Sequence, residues 1–530
     1  MGFSDEEDRG SDVKKSTGFL CSGTVGRRTS HPGHSLFCWL GQERWCRSWA
    51  ASTLSSETLS AEYPQTGMVP CMQKPQPCMV AQEAQAMRLD LQRNFVRDAG
   101  NVRALVRNIA ECTLSPVKLV QRCLDRITEV DAEVCAWVHV AADEALADAR
   151  RCEEEAQRQA LRGPLHGIPF GVKDVIDVAG MPTRCGSRSR ADIHQAHADA
   201  ELVAAARAAG AIVLGKLHTT EFAFFDPAPT HNPHAPAHTP GGSSSGSGAA
   251  VASGTVPLAL GTQTFASVNR PAAYCGVAAF KPSTRSLSTF GITSLAPYSD
   301  TIGFFGQMVE DAVSFFEAVA PPCAMPLSPV TGRMRVAFLD DPLVEQATGE
   351  ARDACRAMMD ALGADLAVET RPAPVRMQGI TDLLRTVMLF EMARNHRCVL
   401  DEPEGMIGPR FIEGVRDGLA IPTGKYLACR RELDAMRRAF FSALADVDLF
   451  LWPAAPGPAP KGLQSTGDPG LIAPWTALGS PILTIPTTTS AAGLPLGCIL
   501  AGHPGADLAL CHAGRRISAS WDRKGGSAEA

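Results

Sequence analysis

Apolar residues recur at helical spacing in the stretch that follows Ser115 and Pro116, from Leu119 to Val130. Serine followed by proline is typical of an N-cap and a first helical position, so the pattern predicts that an amphipathic helix begins here. A second helical stretch, rich in alanine, glutamate and arginine, is predicted over about 141–160 and is expected to lie on the surface.

A helix that leads directly into a buried strand is predicted next. Asp199 is expected to cap a helix over 200–209, and Gly210 is expected to end it. The all-apolar run 211–214 is typical of a strand that is buried on both faces. Near the C-terminus the pattern predicts a helix over 430–446, strands over 449–452, 481–485 and 494–500, and a helix near 506–517. This alternation predicts an α/β fold, a large single domain in which helices cover a mixed sheet.

The first residues differ in pattern from the rest of the chain. Residues 1–78 are rich in serine and glycine and show no sustained helical or strand period. We therefore expect 1–78 to be a poorly structured extension or a mis-assigned start, with Met79 as a candidate first residue. The large domain is then predicted over 79–520, followed by a C-terminal tail over 521–530.

Charge and composition narrow the class of partner. The 530 residues carry 50 basic and 56 acidic side chains, which leaves a formal net charge of −6. This balance argues against a broad basic surface for nucleic acid or anionic lipid. Hydrophobic content of 45% and charged content of 20% are typical of a globular protein. We therefore expect a small-molecule substrate and no direct contact with nucleic acid.

The cysteines and the lack of long apolar stretches indicate where in the cell the protein is found. The 17 cysteines are odd in number and irregularly spaced, which favours reduced thiols over a disulfide framework or a zinc ribbon. No stretch of about 18 apolar residues is present that could cross a bilayer. Acidic residues from Asp5 to Asp8 stand where a secretory signal would be basic. The sequence predicts a cytoplasmic protein without membrane contact.

Positions 227–269 contain no Asp, Glu, Lys or Arg. Charges are costly to desolvate, whereas small hydroxyls can hydrogen bond inside a protein, so this segment is expected to run through the interior. It includes the glycine- and serine-rich run 241–248, which by itself also fits a flexible loop. Because small and apolar residues flank this run, we expect Ser243 and Ser267 to be buried.

A buried serine becomes reactive only if a base removes its proton, and Lys173 is the candidate base. It lies in the largely apolar run 166–177, where loss of hydration disfavours the ammonium form. The alternative is a lysine that reaches towards the surface and pairs with the adjacent Asp174.

Together these segments resemble the amidase signature family. The resemblance is carried by the runs 163–169, 241–248 and 261–276 and by Lys173, the run 300–303 agrees with it, and it covers about residues 100–517. It implies an amidase, a hydrolase that cleaves linear amide bonds through a serine acyl-enzyme, with esters as a further substrate class. No metal or organic cofactor is implied.

The resemblance also assigns roles to single residues. It implies that Ser267 is the nucleophile, that Ser243 is the bridging serine held in a cis peptide, and that Lys173 is the base. A relay from a serine to a neutral lysine activates the nucleophile without a histidine. Backbone N–H groups would form the oxyanion hole, contributed by Thr264, Phe265, Ala266 and Ser267.

Two departures from the family pattern stand next to the predicted nucleophile. Phe265 and Ala266 occupy positions where the family usually has small residues, most often glycine. Side chains there are expected to restrict the backbone or to crowd the acyl pocket. Asn269 stands where an apolar or basic residue is usual. An inactive descendant of the family therefore stays open as an alternative.

Other residues offer competing chemistry. The run 242–246 also fits the G-x-S-x-G nucleophile elbow, with Ser244 as nucleophile and His396 or His503 as base. An elbow requires a strand immediately before it, and the prolines that precede this run disfavour a strand. Three histidines offer metal ligands and Cys275 offers a thiol nucleophile, and we favour loop histidines and a buried, inert cysteine. The three histidines are His231, His234 and His238.

A different class of function also stays open. Some members of the same family are amidotransferase subunits that act with a tRNA-binding partner, so the chain could be a non-catalytic or partner-dependent subunit. The lack of basic excess disfavours this interpretation without excluding it, since the partner could bind the tRNA. Assembly into a homo-oligomer is left open. Amide hydrolysis by the isolated chain would favour the enzyme.

Overall fold

The computed structural model describes residues 100–320, 334–363 and 366–523. Within these ranges eleven strands form one sheet. The strands are β1 Trp137–Val140, β2 Pro169–Lys173, β3 Ile212–Leu217, β4 Leu258–Gln263, β5 Ala278–Lys281, β6 Thr301–Gly306, β7 Arg335–Asp340, β8 Ala367–Pro372, β9 Leu449–Pro453, β10 Ile482–Thr489 and β11 Pro495–Gly502.

Thirteen α-helices surround the sheet in the same ranges. They are α1 Val102–Ala110, α2 Pro116–Val134, α3 Ala142–Gln157, α4 Glu201–Ala208, α5 Ser245–Ala252, α6 Asn269–Cys275, α7 Val309–Val319, α8 Gly349–Leu362, α9 Met377–Asn395, α10 Pro409–Ala420, α11 Thr423–Ala443, α12 Ala473–Ala477 and α13 Asp507–Arg523.

The sheet combines parallel and antiparallel strands in the order β1-β3-β2-β4-β6-β5-β10-β11-β9-β7-β8. Strand β1 lies at one edge and is antiparallel to β3. Strands β3, β2 and β4 run parallel next to it, and β9, β7 and β8 run parallel at the other end. The strands between them pair antiparallel. The predicted α/β fold with a mixed sheet covered by helices is confirmed.

Helix α2 begins where the sequence predicts it. The Ser115 side chain is the N-cap and accepts a hydrogen bond from the backbone N–H of Lys118 at 3.2 Å. The helix predicted over 141–160 is α3, whose alanine face, including Ala145 and Ala149, is buried. The expectation of a surface helix therefore holds only for the opposite face.

The predicted cap of helix α4 is wrong. Ala200 is the N-cap and makes no side-chain hydrogen bond, whereas Asp199 Oδ1 accepts from the backbone N–H of Ala179 at 2.8 Å. The predicted end at Gly210 holds, because its φ of +94° favours glycine and an added Cβ would lie 2.6 Å from His166 Cα. Strand β3 follows immediately, so the helix–strand unit is confirmed.

Aromatic packing covers one face of the sheet and small residues cover the other. Phe315 of α7 meets Phe170 of β2 and Phe304 of β6 edge-to-face, with ring centroids 5.5 and 5.3 Å away. On the opposite face, alanines of α3 and α5, such as Ala149 and Ala249, belong to one buried cluster with β4 and β6. Strands β2 and β4 are therefore buried on both faces.

The register of β2 and β4 brings the predicted site together. The two strands are parallel neighbours, with Val172 opposite Leu260. Lys173 is the last residue of β2 and Gln263 is the last residue of β4. Because the carboxyl ends of parallel strands lie at one edge of a sheet, the segments that follow them meet there.

Several boundary predictions fall at or beyond the described ranges. The predicted extension 1–78 and the candidate start Met79 lie outside the described residues, as do positions 524–530. Helix α13 continues to Arg523, and the Trp521 indole donates to Thr487 O at 3.3 Å, so ordered helix extends past the predicted domain end at 520. Among the described residues, none of the helices is both long enough and apolar enough to span a bilayer.

Candidate active site

Lys173 lies fully buried at the end of β2 and contacts two hydroxyl groups. Its Nζ is 2.7 Å from Ser243 Oγ and 2.8 Å from Thr262 Oγ1. The carbonyl oxygen of Thr262 lies 3.4 Å from the same amine. The structure therefore brings together two of the three predicted site residues, Lys173 and Ser243.

The electrostatic surroundings favour a neutral amine. Burial lowers the pKa of Lys173 from 10.5 to about 7, while the negative charge of Asp300 opposes this shift. An amine with a pKa near 7 can accept a proton under neutral conditions. The alternative pairing of Lys173 with Asp174 is wrong, because Asp174 instead lies 2.9 Å from Lys216 Nζ.

The glycine- and serine-rich run passes through the interior, as the lack of charge predicts. Its residues are buried from Gly241 onwards, and the Gly242–Ser243 peptide bond is cis. The neighbouring hydroxyls donate to backbone carbonyls: Ser244 to Thr262, Ser245 to Gly241 and Ser247 to Leu260. Only Ser243 of this run contacts the lysine.

Ser267 occupies the turn between β4 and α6. It is 8% exposed, and its carbonyl accepts from the backbone N–H of Ser244 at 3.2 Å. None of the side-chain hydrogen bonds found among the described residues involves its hydroxyl. Ser243 and Ser267 are therefore joined through backbone neighbours, whereas their hydroxyls are not hydrogen bonded to each other.

The turn before Ser267 carries N–H groups without a protein acceptor among the described residues. These belong to Thr264, Phe265, Ala266 and Ser267. The turn itself is held from two sides, since Thr264 Oγ1 donates to Asp300 Oδ1 and Phe265 O accepts from Thr476 Oγ1, each at 2.6 Å. Free N–H groups on a fixed turn are what an oxyanion hole requires.

The two unusual side chains before Ser267 point into the core. Phe265 is 4% exposed, Ala266 is 1% exposed, and both belong to the main hydrophobic cluster. Neither has a positive φ. The turn therefore needs no glycine at these positions, and the expected backbone restriction does not arise.

Asp300 is a site residue to which the sequence assigned no role. Its Oδ2 accepts from the Ser294 hydroxyl at 2.6 Å and from the Ala296 N–H at 3.1 Å, in addition to the bond from Thr264. Burial raises its pKa to about 6. Asp300 stands in the run 300–303 that contributes to the family resemblance, which was the available signal.

Arg270 is a second residue without an assigned role. Its guanidinium donates to Gly242 O at 2.7 Å, to Thr466 Oγ1 at 3.0 Å and to Gly467 O at 2.6 Å. Burial lowers its pKa to about 10, so the group stays charged at neutral pH. Arg270 thus holds the residue before Ser243 against the segment 466–467.

A buried ion pair supports the strands that carry the site. Lys216 of β3 and Asp174, which follows β2, are each 1% exposed. Lys216 Nζ also donates to Thr183 Oγ1 at 3.1 Å, and the N–H of Arg184 donates to Asp174 Oδ2 at 3.2 Å. The pair ties the segment after β2 to β3.

We expect Lys216→Met to lower the free energy of unfolding by about 3–5 kcal/mol, because it leaves the Asp174 carboxylate buried without its cation. Urea unfolding followed by tryptophan fluorescence measures this loss. Lys425→Met removes an exposed lysine and serves as the matched control. Equal unfolding midpoints for the two variants would contradict the prediction.

The competing residues are engaged elsewhere. Ser244 Oγ is hydrogen bonded to Thr262. No strand stands immediately before Gly241, so the nucleophile elbow is wrong. The imidazoles of His396 and His503 contact the carbonyls of Ser294 and Val447. The rings of His231 and His234 contact backbone carbonyls as well. Burial raises the pKa of the Cys275 thiol, as expected for an inert cysteine.

A small cavity lies beside the lysine and the turn. Its volume is about 10 Å³, roughly the space that one water molecule needs. It is lined by Thr262 and Thr264, by Asp300 and Thr301, and by residues of the 289–295 loop and Ala223. The cavity thus borders both the Lys173 contacts and the free N–H groups.

Sequence comparison relates this chain to one family over most of its length. A family model described as Amidase matches residues 118–402. One relative is a subunit of glutamyl-tRNA(Gln) amidotransferase from Chloroflexus aurantiacus, which is 31% identical over 464 residues, covering 78% of this chain and 95% of the relative. The corresponding protein from Exiguobacterium sibiricum is 40% identical over 237 residues, which span 48% of that relative.

Solved structures agree with this relationship. One structure has a TM-score of 0.74 and 26% identity, and the match covers 80% of this chain and 98% of that one. It was reported for an unexpected vestigial protein complex that reveals the evolutionary origins of an s-triazine catabolic enzyme. Native peptide amidase from Stenotrophomonas maltophilia has a TM-score of 0.66 and 26% identity, covering 80% and 96%. The match over sequence and fold means that this chain belongs to the amidase signature family, the enzymes that hydrolyse carbon–nitrogen amide bonds.

Proposed function

We propose that this chain hydrolyses a carboxylic amide of a small molecule through an acyl-enzyme on Ser267, with Ser243 as relay and Lys173 as base. The contact between Lys173 Nζ and Ser243 Oγ at 2.7 Å carries this proposal. A fully buried amine with a pKa near 7 beside a serine hydroxyl is suited to accept its proton. The family relationship supports the same chemistry.

In the first half-reaction, Ser267 Oγ attacks the carbonyl carbon as its proton passes to Ser243, whose own proton passes to neutral Lys173. The carbonyl π electrons move to oxygen, and the N–H groups of Thr264, Phe265 and Ala266 stabilise the negative charge. The tetrahedral intermediate then collapses as the C–N bond breaks. The proton held by Lys173 returns through Ser243 to the leaving amine.

In the second half-reaction, water attacks the Ser267 ester and the same residues carry its proton. The acid is released and the Ser267 hydroxyl is restored. An ester substrate would follow the same course with an alcohol as leaving group. The relay requires the Ser267 hydroxyl to turn towards Ser243. The backbone hydrogen bond from Ser244 to Ser267 holds the two segments next to each other.

The function is tested by incubating the full chain with aliphatic, aryl and amino-acid amides and measuring released ammonia. In parallel, a fluorophosphonate that phosphonylates activated serines with loss of fluoride is mapped by mass spectrometry. We expect ammonia from at least one amide and an adduct on Ser267. No release from the whole panel together with an unlabelled Ser267, or an adduct on another serine, would overturn the proposal.

A second candidate is an amidase that works only as part of a complex with a partner protein. It is favoured by the 31% identity to one subunit of an amidotransferase, over 95% of that relative. Under this proposal the tagged full chain co-purifies from its own cells with a second protein, and ammonia release rises when that protein is added. Unchanged hydrolysis by the isolated chain in the presence and absence of the cell extract would favour the independent enzyme. The cytoplasmic location stays a prediction.

A further inference from the structure

We propose that Thr476 is a positioning residue that orients the oxyanion-binding turn, and that Gln263 directs its hydroxyl. The proposal rests on the function proposed above and adds a residue that lies far from the turn in sequence. Thr476 is in α12 and is separated from Phe265 by 211 positions along the chain. Its side chain is 1% exposed.

The direction of the Phe265–Ala266 peptide follows from one hydrogen bond. Phe265 O accepts from Thr476 Oγ1 at 2.6 Å. In a trans peptide bond the carbonyl and the following N–H point in opposite directions, and this bond is trans. The Ala266 N–H therefore points away from Thr476, and among the described residues it has no acceptor. Anchoring the carbonyl thus leaves this donor free to bind an oxyanion.

Gln263 determines which way the Thr476 hydroxyl donates. Its Oε1 accepts from the backbone N–H groups of Val268 at 2.7 Å and Asn269 at 3.1 Å, so the amide orientation is unambiguous. Its Nε2 then donates to Thr476 Oγ1 at 2.9 Å. Because that bond occupies an acceptor site of Thr476, the hydroxyl proton is directed to the Phe265 carbonyl.

The network is closed and carries no charge. Gln263 Nε2 also donates to Asn269 Oδ1 at 3.0 Å, and Asn269 Nδ2 donates to Thr484 Oγ1 at 3.0 Å. All four side chains are at most 1% exposed. The turn is thereby held at its start by Gln263, in its middle by Thr476 and at its end by Asn269. A fully satisfied buried network of this kind fixes one arrangement of the backbone.

The test compares Thr476→Val, which keeps the shape and removes the hydroxyl, with Thr476→Ser, which keeps the hydroxyl. We expect the maximal rate of Ser267 phosphonylation by a fluorophosphonate to fall about 10- to 100-fold in Thr476→Val, somewhat less than loss of an oxyanion donor itself. The probe concentration for half-maximal rate should not change. Thr476→Ser should restore the rate to within a few-fold of the unmodified chain.

Thr255→Val is the matched control. Thr255 is also fully buried, accepts from the Trp137 indole at 3.2 Å and donates to Ala250 O at 2.9 Å, so it has the same bonding pattern away from the turn. We expect this variant to lose stability without a fall in the phosphonylation rate. The network is neutral, and Asp300, which holds the other side of the turn, has a pKa of about 6. The Thr476→Val deficit should therefore be equal at pH 7.5 and pH 9, apart from the common dependence on the base.

The outcomes separate this proposal from the proposed function. If the unmodified chain is not labelled at Ser267, the function itself fails. If it is labelled and Thr476→Val reacts at the same rate, or if Thr255→Val falls equally, Thr476 has no positioning role. Should Thr476→Val not yield folded protein, Thr476→Ala is measured in its place, and the rescue by Thr476→Ser decides between positioning and packing.

Discussion

Ser267→Ala is expected to lower kcat for amide hydrolysis by about 10⁴- to 10⁶-fold. The substitution removes the oxygen that forms the acyl-enzyme, while the N–H groups of the turn and the Lys173–Ser243 contact stay in place. Residual turnover should therefore come only from substrate binding and oxyanion stabilisation. Steady-state ammonia release with any amide that the unmodified chain hydrolyses measures the loss.

Ser314→Ala is the control for the Ser267 substitution. Ser314 in α7 has the same 8% exposure, and its hydroxyl donates to Glu310 Oε1 at 2.9 Å, away from the site. We expect its kcat to stay within a few-fold of the unmodified chain. Comparable rates for Ser267→Ala and the unmodified chain would remove Ser267 from the mechanism. A phosphonylated serine in Ser267→Ala would identify another nucleophile.

Local patterns predicted most of the secondary structure. The Ser115 cap, the turn at Gly210 and the buried strand that follows depend on residues close in sequence, and each is confirmed. The cap predicted at Asp199 is wrong because its carboxylate bonds to the backbone of Ala179 instead. A cap needs a free carboxylate, and a contact from outside the helix decides whether it is free.

The helix predicted over 430–446 shows a second limit of local patterns. Helix α11 begins earlier, at Thr423 after Pro422, and its first turn carries no capping hydrogen bond from a side chain. The helix packs against α9, a contact that the local sequence does not show. Boundaries that depend on tertiary contacts cannot be read from apolar spacing alone.

The sequence likewise predicted only part of the candidate site. Resemblance pointed to Lys173, Ser243 and Ser267, and the structure joins the first two by a hydrogen bond. It did not point to Thr476 or give Asp300 a role, although each bonds to the turn. Their partners are distant in sequence, so no spacing rule could reveal them. These contacts exist only once the sheet has formed.

Phe265 and Ala266 show that the surrounding structure decides whether a side chain is tolerated where the family usually has glycine. From the sequence, side chains beside the nucleophile suggested a crowded pocket. In the structure both side chains are in the core, and Thr476 anchors the Phe265 carbonyl of the turn. A turn with ordinary φ values and an anchored carbonyl can present its N–H groups without glycine. These two residues therefore do not require the chain to be an inactive member of the family.

Lys173→Met is expected to lower kcat/KM by about 10²- to 10⁴-fold, the range associated with loss of a general base. Only the neutral amine accepts a proton, and burial brings the pKa of Lys173 to about 7. For the unmodified chain, kcat/KM should therefore rise about tenfold per pH unit below pH 7 and level off above it. In Lys173→Met this inflection should disappear. Rates measured from pH 5.5 to 9.5 in one buffer series test both effects.

Lys281→Met decides whether the inflection belongs to Lys173. Lys281 ends β5, is also fully buried, and has its pKa lowered by burial to about 7, but it donates to Pro282 O rather than to a serine. Removing it should cost stability and leave both kcat/KM and the inflection near pH 7 in place. If Lys281→Met abolishes the inflection while Lys173→Met retains it, the base is not Lys173. Since the two lysines share burial and pKa, the comparison isolates the contribution of the hydroxyl contacts that Lys173 makes with Ser243 and Thr262.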